Sequence, residues 1–222
     1  MPQRTAVPEW GATFGQDEWV ATIEGYVWAD SEEDFISLTV AWIKYSGPTG
    51  DVLRAGGNTW TPWGRQTFMS ALDFHGGDFD VDHEPLLFDR LGPWLVLIAP
   101  NGFEYAYPGV VAGASRLGDV VSVYWNVEGN MSIREAQHGQ IARHLDLRIN
   151  ESDLRQVERE VGVSLDDPYA PVHAASLALV EGLTGEVLDR DWVLAEHEGV
   201  VLDRRVWAGD DPGSIAVAPY DP

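Results

Sequence analysis

From Ile36 to Trp42 apolar and polar positions alternate, with Ile36, Leu38, Val40 and Trp42 on one side and Ser37, Thr39 and Ala41 on the other. A two-residue period is that of a half-buried strand and predicts one over 35–45. The next segment, SGPTGDVLRAGG, opens on a turn signal and closes on two glycines around Val52 and Leu53, which predicts a brief helix. Trp94 to Ala99 is an unbroken apolar run between Gly92-Pro93 and Pro100-Asn101-Gly102, as expected of a strand covered on both faces. Val121, Val123, Trp125 and Val127 alternate with Ser122, Tyr124 and Asn126, predicting a strand over 120–128 with a short helix at 109–115 before it. Strands at 131–136 and 140–149 follow, joined as a hairpin through Gln137-His138-Gly139.

After Asn150 the spacing lengthens to three and four. Leu154, Val157 and Val161 make one stripe, capped by Ser152 and ended by Gly162. Pro171 opens a second helix that runs to about Leu183 with Gly185 beyond it, and a third short helix starts after Asp189. Val200, Leu202, Val206 and Trp207 suggest a last strand. Residues 1–30 show no sustained period, and 58–93 read as a long connection with one strand near 67–72. Strands first and helices second predict an α+β protein: a mostly antiparallel sheet of about five to six strands, with two or three C-terminal helices packed on it. With no repeat or low-complexity linker, one domain is expected over 1–210, followed by an acidic flexible tail at 211–222.

Composition narrows the class. Of 222 residues 45% are apolar, enough for a packed core, and no run approaches the roughly 18–20 apolar residues that cross a bilayer. The start, MPQRTAVPEWG, has no apolar secretory core, and the absence of cysteine removes disulfides, thiolate metal sites and a cysteine nucleophile. Both features point to a cytoplasmic protein with no membrane partner. The formal charge is −22, from 36 acidic against 14 basic residues, which argues against nucleic acid as a partner and for solubility in salt or docking to a basic protein. Residues 1–100 hold 15 acids and 5 bases and the remainder 21 and 9, so the excess is spread along the chain. A single lysine, Lys44, beside 13 arginines indicates a GC-rich genome.

Three segments carry a resemblance: Ala99-Pro100-Asn101-Gly102, then Val121-Ser122-Val123-Tyr124-Trp125-Asn126-Val127, then Ala174 to Leu179 with Leu183-Thr184-Gly185 after the hairpin glycine Gly139. In that order they resemble an uncharacterised actinobacterial domain family with a PNG turn, a VSVYWNV strand and an LALxExLTG helix. The resemblance spans roughly 35–195 and implies one continuous domain from an actinobacterial or actinophage source. It implies no catalytic residues. Residues 43–93 depart from the family pattern, being longer than its compact helix.

Candidate chemistry is sparse. HGGDFDVDHE places His75, Asp78, Asp80, Asp82 and His83 close together, a possible oxygen and imidazole set for a divalent ion. It is not a calcium-binding EF-hand loop, because His83 stands where glycine is required and Asp89 where glutamate is. Ser115 lacks the G-x-S-x-G elbow of a serine nucleophile, and Gly109, Gly113 and Gly118 fit no phosphate loop. Glu135 and Asp146 could form an acid–base pair across the hairpin, although alternating solvent-facing carboxylates are the ordinary case. Trp42, Trp94 and Trp125 read as core. Trp60 and Trp63, in a Gly, Pro and Thr-rich stretch, read either as partner-binding anchors or as packing over the sheet edge. These features point to a non-catalytic interaction protein of the immunity, antitoxin or phage-inhibitor kind that uses its acidic surface on a protein partner, without a cofactor. The alternative is a metal-dependent hydrolase or small-molecule binder built on 75–84.

Overall fold

The computed structural model describes residues 22–74, 83–102, 104–165 and 170–203. Eight strands form one antiparallel sheet: β1 (Leu38–Ile43), β2 (Thr59–Thr67), β3 (His83–Leu91), β4 (Trp94–Pro100), β5 (Val120–Trp125), β6 (Met131–Gln137), β7 (Gln140–Asp146) and β8 (Glu196–Asp203), in the spatial order β2-β8-β3-β4-β1-β5-β6-β7. Before and between them run the helices α1 (Trp28–Ser31), α2 (Thr49–Ala55), α3 (Phe68–Leu72), α4 (Pro108–Ala114), α5 (Glu151–Val161), α6 (Val172–Thr184) and α7 (Arg190–Leu194).

The central strands explain the layering. Every residue of β1 and β4 is buried, and because successive side chains alternate sides, each strand feeds two cores. Leu38, Val40, Trp42, Trp94, Val96 and Ile98 face the layer of α1, α3, α5, α6 and α7, while Ala41, Ile43, Leu95, Leu97 and Ala99 face α2, α4 and the 3-10 turn Glu104–Ala106. The protein is therefore α+β with a single antiparallel sheet, as expected. The described residues hold eight strands in place of five or six, and helices are interspersed over both faces instead of following the sheet at its C-terminal end.

The stretch 58–93, read from sequence as connection, holds β2, α3 and β3, and 68–72 is helix and not strand. Pro62, Gly64 and Pro85 hid these strands. In β2, Pro62 lies on the outermost strand of the sheet, and a bulge between Pro62 and Gly64 breaks the alternation. Pro85 falls in the part of β3 that pairs with β8 alone, since pairing with β4 begins at Leu87, so no ladder bond is owed to β4 there. The predicted contribution of Val206 and Trp207 to the last strand, and the tail at 211–222, lie outside the described residues.

Other expectations hold closely. The hairpin turn puts His138 (φ 52°) and Gly139 (φ 80°) in the left-handed region, the two-residue geometry that matches strand twist. Gly162 (φ 70°) and Gly185 (φ 75°) end α5 and α6 in that same conformation. The cap of α5 is Asn150, whose side chain accepts from Ser152 N, and Pro171 precedes α6 instead of beginning it.

Candidate functional site: a cleft over the β5–β7 end of the sheet

Along β5, β6 and β7 the side chains facing the α2/α4 layer are Ser122 and Tyr124, Ser132 and Arg134, His144 and Asp146, each set two residues apart. In register Tyr124 stands opposite Ser132, Ser132 opposite Asp146, and Arg134 opposite both Ser122 and His144. Helix α4 covers the neighbouring region, where Val120, Ala136 and Ile141 pack under Val110, Val111 and Ala114. Beside Ala106, Tyr107 and Pro108 a cleft of about 330 Å³ opens, lined also by Tyr124, Met131, Ser132, Arg134 and Asp146. That volume is at the lower end of small-ligand pockets.

Arg134 is the chemical centre of the cleft. It donates from Nη1 to Ser132 Oγ at 2.6 Å, and no acceptor reaches its buried Nε. Among the described residues no carboxylate oxygen lies within 4.0 Å of its guanidinium; Arg90 and Arg148 likewise bond neutral groups, whereas Arg54, Arg65, Arg143, Arg155 and Arg190 each lie against a carboxylate. Burial pulls the Arg134 pKa down to about 10, against the attraction of Asp146 and Tyr124, so the group stays charged at neutral pH. Burial also raises the Tyr124 hydroxyl above its ordinary value, with the Asn126 side chain pulling the other way. His144, opposite Arg134, is lowered by burial and then by the guanidinium charge, against the pull of Asp146 and Asp153.

Asp146 is held by the backbone. Its Oδ1 accepts from Arg148 N at 3.3 Å and Ile149 N at 3.2 Å, which turns the chain after β7 and ends the strand three residues short of the predicted 149. No cationic side chain approaches its carboxylate within 4.0 Å among the described residues. The cleft thus contains one cation and one anion, each fixed by neutral partners and not by the other. No family model, curated protein sequence or solved structure matches this chain. The assignment of a function therefore rests on this geometry.

The residues singled out from the sequence fall elsewhere. Of the candidate metal set, His75, Asp78, Asp80 and Asp82 lie outside the described residues, and His83 begins β3. Among the described residues no three histidine or carboxylate side chains gather as a metal site. Trp60 and Trp63 belong to edge strand β2 and not to a loop, and both are half-buried. Trp60 packs on the α2 side with the Arg54 guanidinium 5.6 Å from its ring, and Trp63 packs on the opposite side, edge-on to Phe74 at 5.0 Å.

Ser115 is a structural tie: its hydroxyl donates to Ala112 O and accepts from Gly139 N, fastening the β6–β7 turn to α4. Glu135 and Asp146 do not face one another. Glu135 pairs with Arg143, which also binds Glu160 of α5, while Asp146 points to the other face of the sheet.

A second polar group missed by sequence lies beneath the PNG turn. Glu84, Glu104, Tyr105 and Asn58 are all buried, and Glu84 Oε1 accepts from Glu104 N at 3.2 Å. Tyr105 is pushed well above its ordinary value by burial and then by the two carboxylates. A Cβ on Gly102 would run into the Glu84 carboxylate and Ala99, which is why the turn needs glycine there. Among the described residues no helix is long and apolar enough to cross a membrane.

Proposed function

We propose that this protein binds a small anionic group, a carboxylate or a phosphate, at Arg134 in the cleft between β5–β7 and the Glu104–Ala106 turn. The observation that carries this reading is the guanidinium itself: largely buried, charged, bonded to one hydroxyl and, among the described residues, with no carboxylate oxygen within 4.0 Å. A buried charge without a counter-charge costs several kcal/mol, and an oxyanion on the free edge of the guanidinium removes that cost. Arginine suits the task because its planar fork matches two oxygens at once. Binding, not turnover, is the role supported, since the Ser132 hydroxyl is engaged by the guanidinium and not by a base.

The reading takes up the small-molecule alternative at a site other than the 75–84 segment. It also gives the family resemblance a physical centre, because the VSVYWNV strand supplies Tyr124 to the cleft wall. The test is a thermal-shift screen against a panel of carboxylates and phosphate esters, repeated with Arg134→Gln. Members of the panel should stabilise the native protein, with affinity falling roughly 10- to 100-fold in the variant, the worth of a charge-assisted hydrogen-bond pair. If no anion in the panel stabilises the protein, or if the variant responds as the native protein does, the reading is wrong.

A further inference from the structure

The cleft has a second charge that anion binding does not use. Asp146 lines the same cavity as Arg134. The two residues are diagonal neighbours on β6 and β7, Arg134 standing opposite His144 and Asp146 opposite Ser132. Diagonal side chains on adjacent strands lie within reach of a long side chain such as arginine. Arg134 does not make this closure. Its Nη1 is held by Ser132, and Asp146 is held by the Arg148 and Ile149 amides. Both charges are thus fixed in place on the cavity wall, attracting one another without forming an ion pair.

A ligand that completes this arrangement has one negative and one positive group a short distance apart. We infer that it is a zwitterion of the α-amino acid type, its carboxylate on Arg134 and its ammonium on Asp146, an assignment that rests on the anion-binding reading above. Besides Ser132 and the polar Asn130, the wall holds Ala106, Tyr107, Pro108 and Tyr124 with the edge of Met131, an apolar and aromatic surface suited to an apolar side chain. The cavity of about 330 Å³ limits the ligand to about the size of one amino acid. Net charge agrees independently: a chain at −22 repels a simple carboxylate at long range, whereas a net-neutral zwitterion approaches without that barrier.

The experiment is titration calorimetry of the full chain with L-phenylalanine, with 3-phenylpropanoate, which lacks the ammonium, and with 2-phenylethylamine, which lacks the carboxylate. L-phenylalanine should bind, and each half-molecule should bind about tenfold more weakly or worse, as expected for loss of one charge-assisted contact. Asp146→Asn keeps the Oδ1 acceptor that holds the turn. It should weaken L-phenylalanine about tenfold while leaving 3-phenylpropanoate unchanged.

If 3-phenylpropanoate binds as tightly as L-phenylalanine and Asp146→Asn affects neither, the zwitterion assignment fails. Loss of both on Arg134→Gln would in that case leave the anion site standing. If none of the three binds while another carboxylate or phosphate ester does, the assignment also fails and the anion site survives. The analogues are compared on the native protein, so the result does not depend on the folding of any variant.

Discussion

At the scale of single residues, the costly features of this protein are its buried charges, and the Glu135–Arg143–Glu160 group shows how one is held. The Arg143 side chain is 22% exposed and that of Glu135 9%, and Arg143 Nη1 also meets Glu160 Oε1 at 2.7 Å. Burial opposes the Arg143 charge, and the two carboxylates outweigh it and hold its pKa above the ordinary value. For Glu135 burial wins over the arginine, so its pKa is raised. The folded protein then holds this proton more tightly than the unfolded chain. The stabilising contribution is complete below the unfolded value and is lost as pH rises through the folded one. Arg143→Met keeps the aliphatic stem but strands Glu135, and should cost about 2–4 kcal/mol near neutral pH. Because protonation relieves the stranded carboxylate, the loss should shrink on acidification toward pH 5. Urea denaturation of both proteins at the two pH values checks this, and a loss independent of pH would mean that packing and not charge is responsible. Arg134 stood at a polar position of a hairpin strand, but Arg143 and His144 on the other strand of that hairpin carry the same signature. What the sequence could not supply was the side of the sheet on which α4 lies, and that decides whether Arg134 meets solvent or a cleft wall.

At the scale of elements, α6 begins in a way local sequence does not reveal. Pro171 offers no side-chain cap, and the first amides are satisfied from 143–144 residues away, where Asp30 accepts from His173 N at 3.1 Å and Ala174 N at 2.8 Å. The His173 ring stacks on Trp125, 4.7 Å between centroids and 16° between planes, while Trp125 Nε1 donates to Phe35 O at 2.6 Å. The 27–35 segment, the central sheet and α6 are therefore locked at one point, with an acidic group at a positive helix end. Asp30→Ala should destabilise the fold by about 1–2 kcal/mol, in the range of a lost N-cap, and Asp30→Asn should recover part of it. Chemical denaturation of the three proteins measures the order, and equal stability of all three would show that the stacked histidine alone fixes the helix. The same distance effect explains what was legible. Caps, turn glycines and periods within one segment located β1, β4, β5, β6, β7, α2 and α4 to α7. Strands β2 and β3 were hidden because Pro62, Gly64 and Pro85 read as breakers until β8, far along the chain, is placed between them.

At the scale of the molecule, the sheet has helices on both faces, and the charge is set by composition and not by fold. The sequence predicted cover on both faces of β4 and short helices near 49–55 and 109–115, but packed only C-terminal helices on the sheet; the cover on its second face comes from those short helices, α2 and α4. The charge makes a prediction of its own. Self-repulsion among 36 acids and 14 bases destabilises the compact state, while exposed ion pairs such as Arg65 with Glu196 at 3.7 Å and Arg65 with Glu198 at 3.6 Å oppose it. Such pairs contribute about 0–1 kcal/mol each and are themselves weakened by salt. The long-range excess is the larger quantity, so screening should stabilise on balance. As NaCl rises from roughly 0.02 M to 1 M, the Debye length falls from more than 10 Å to about 3 Å, and the unfolding temperature at pH 7.5 should climb by several degrees. Near pH 4.3, where the chain is close to neutral, the same salt range should give little rise or a fall, since the long-range repulsion has gone and only the local pairs remain to be screened. Thermal unfolding across salt at the two pH values separates the cases. A falling unfolding temperature at pH 7.5 would mean that the ion pairs, and not the net charge, set the stability of this protein.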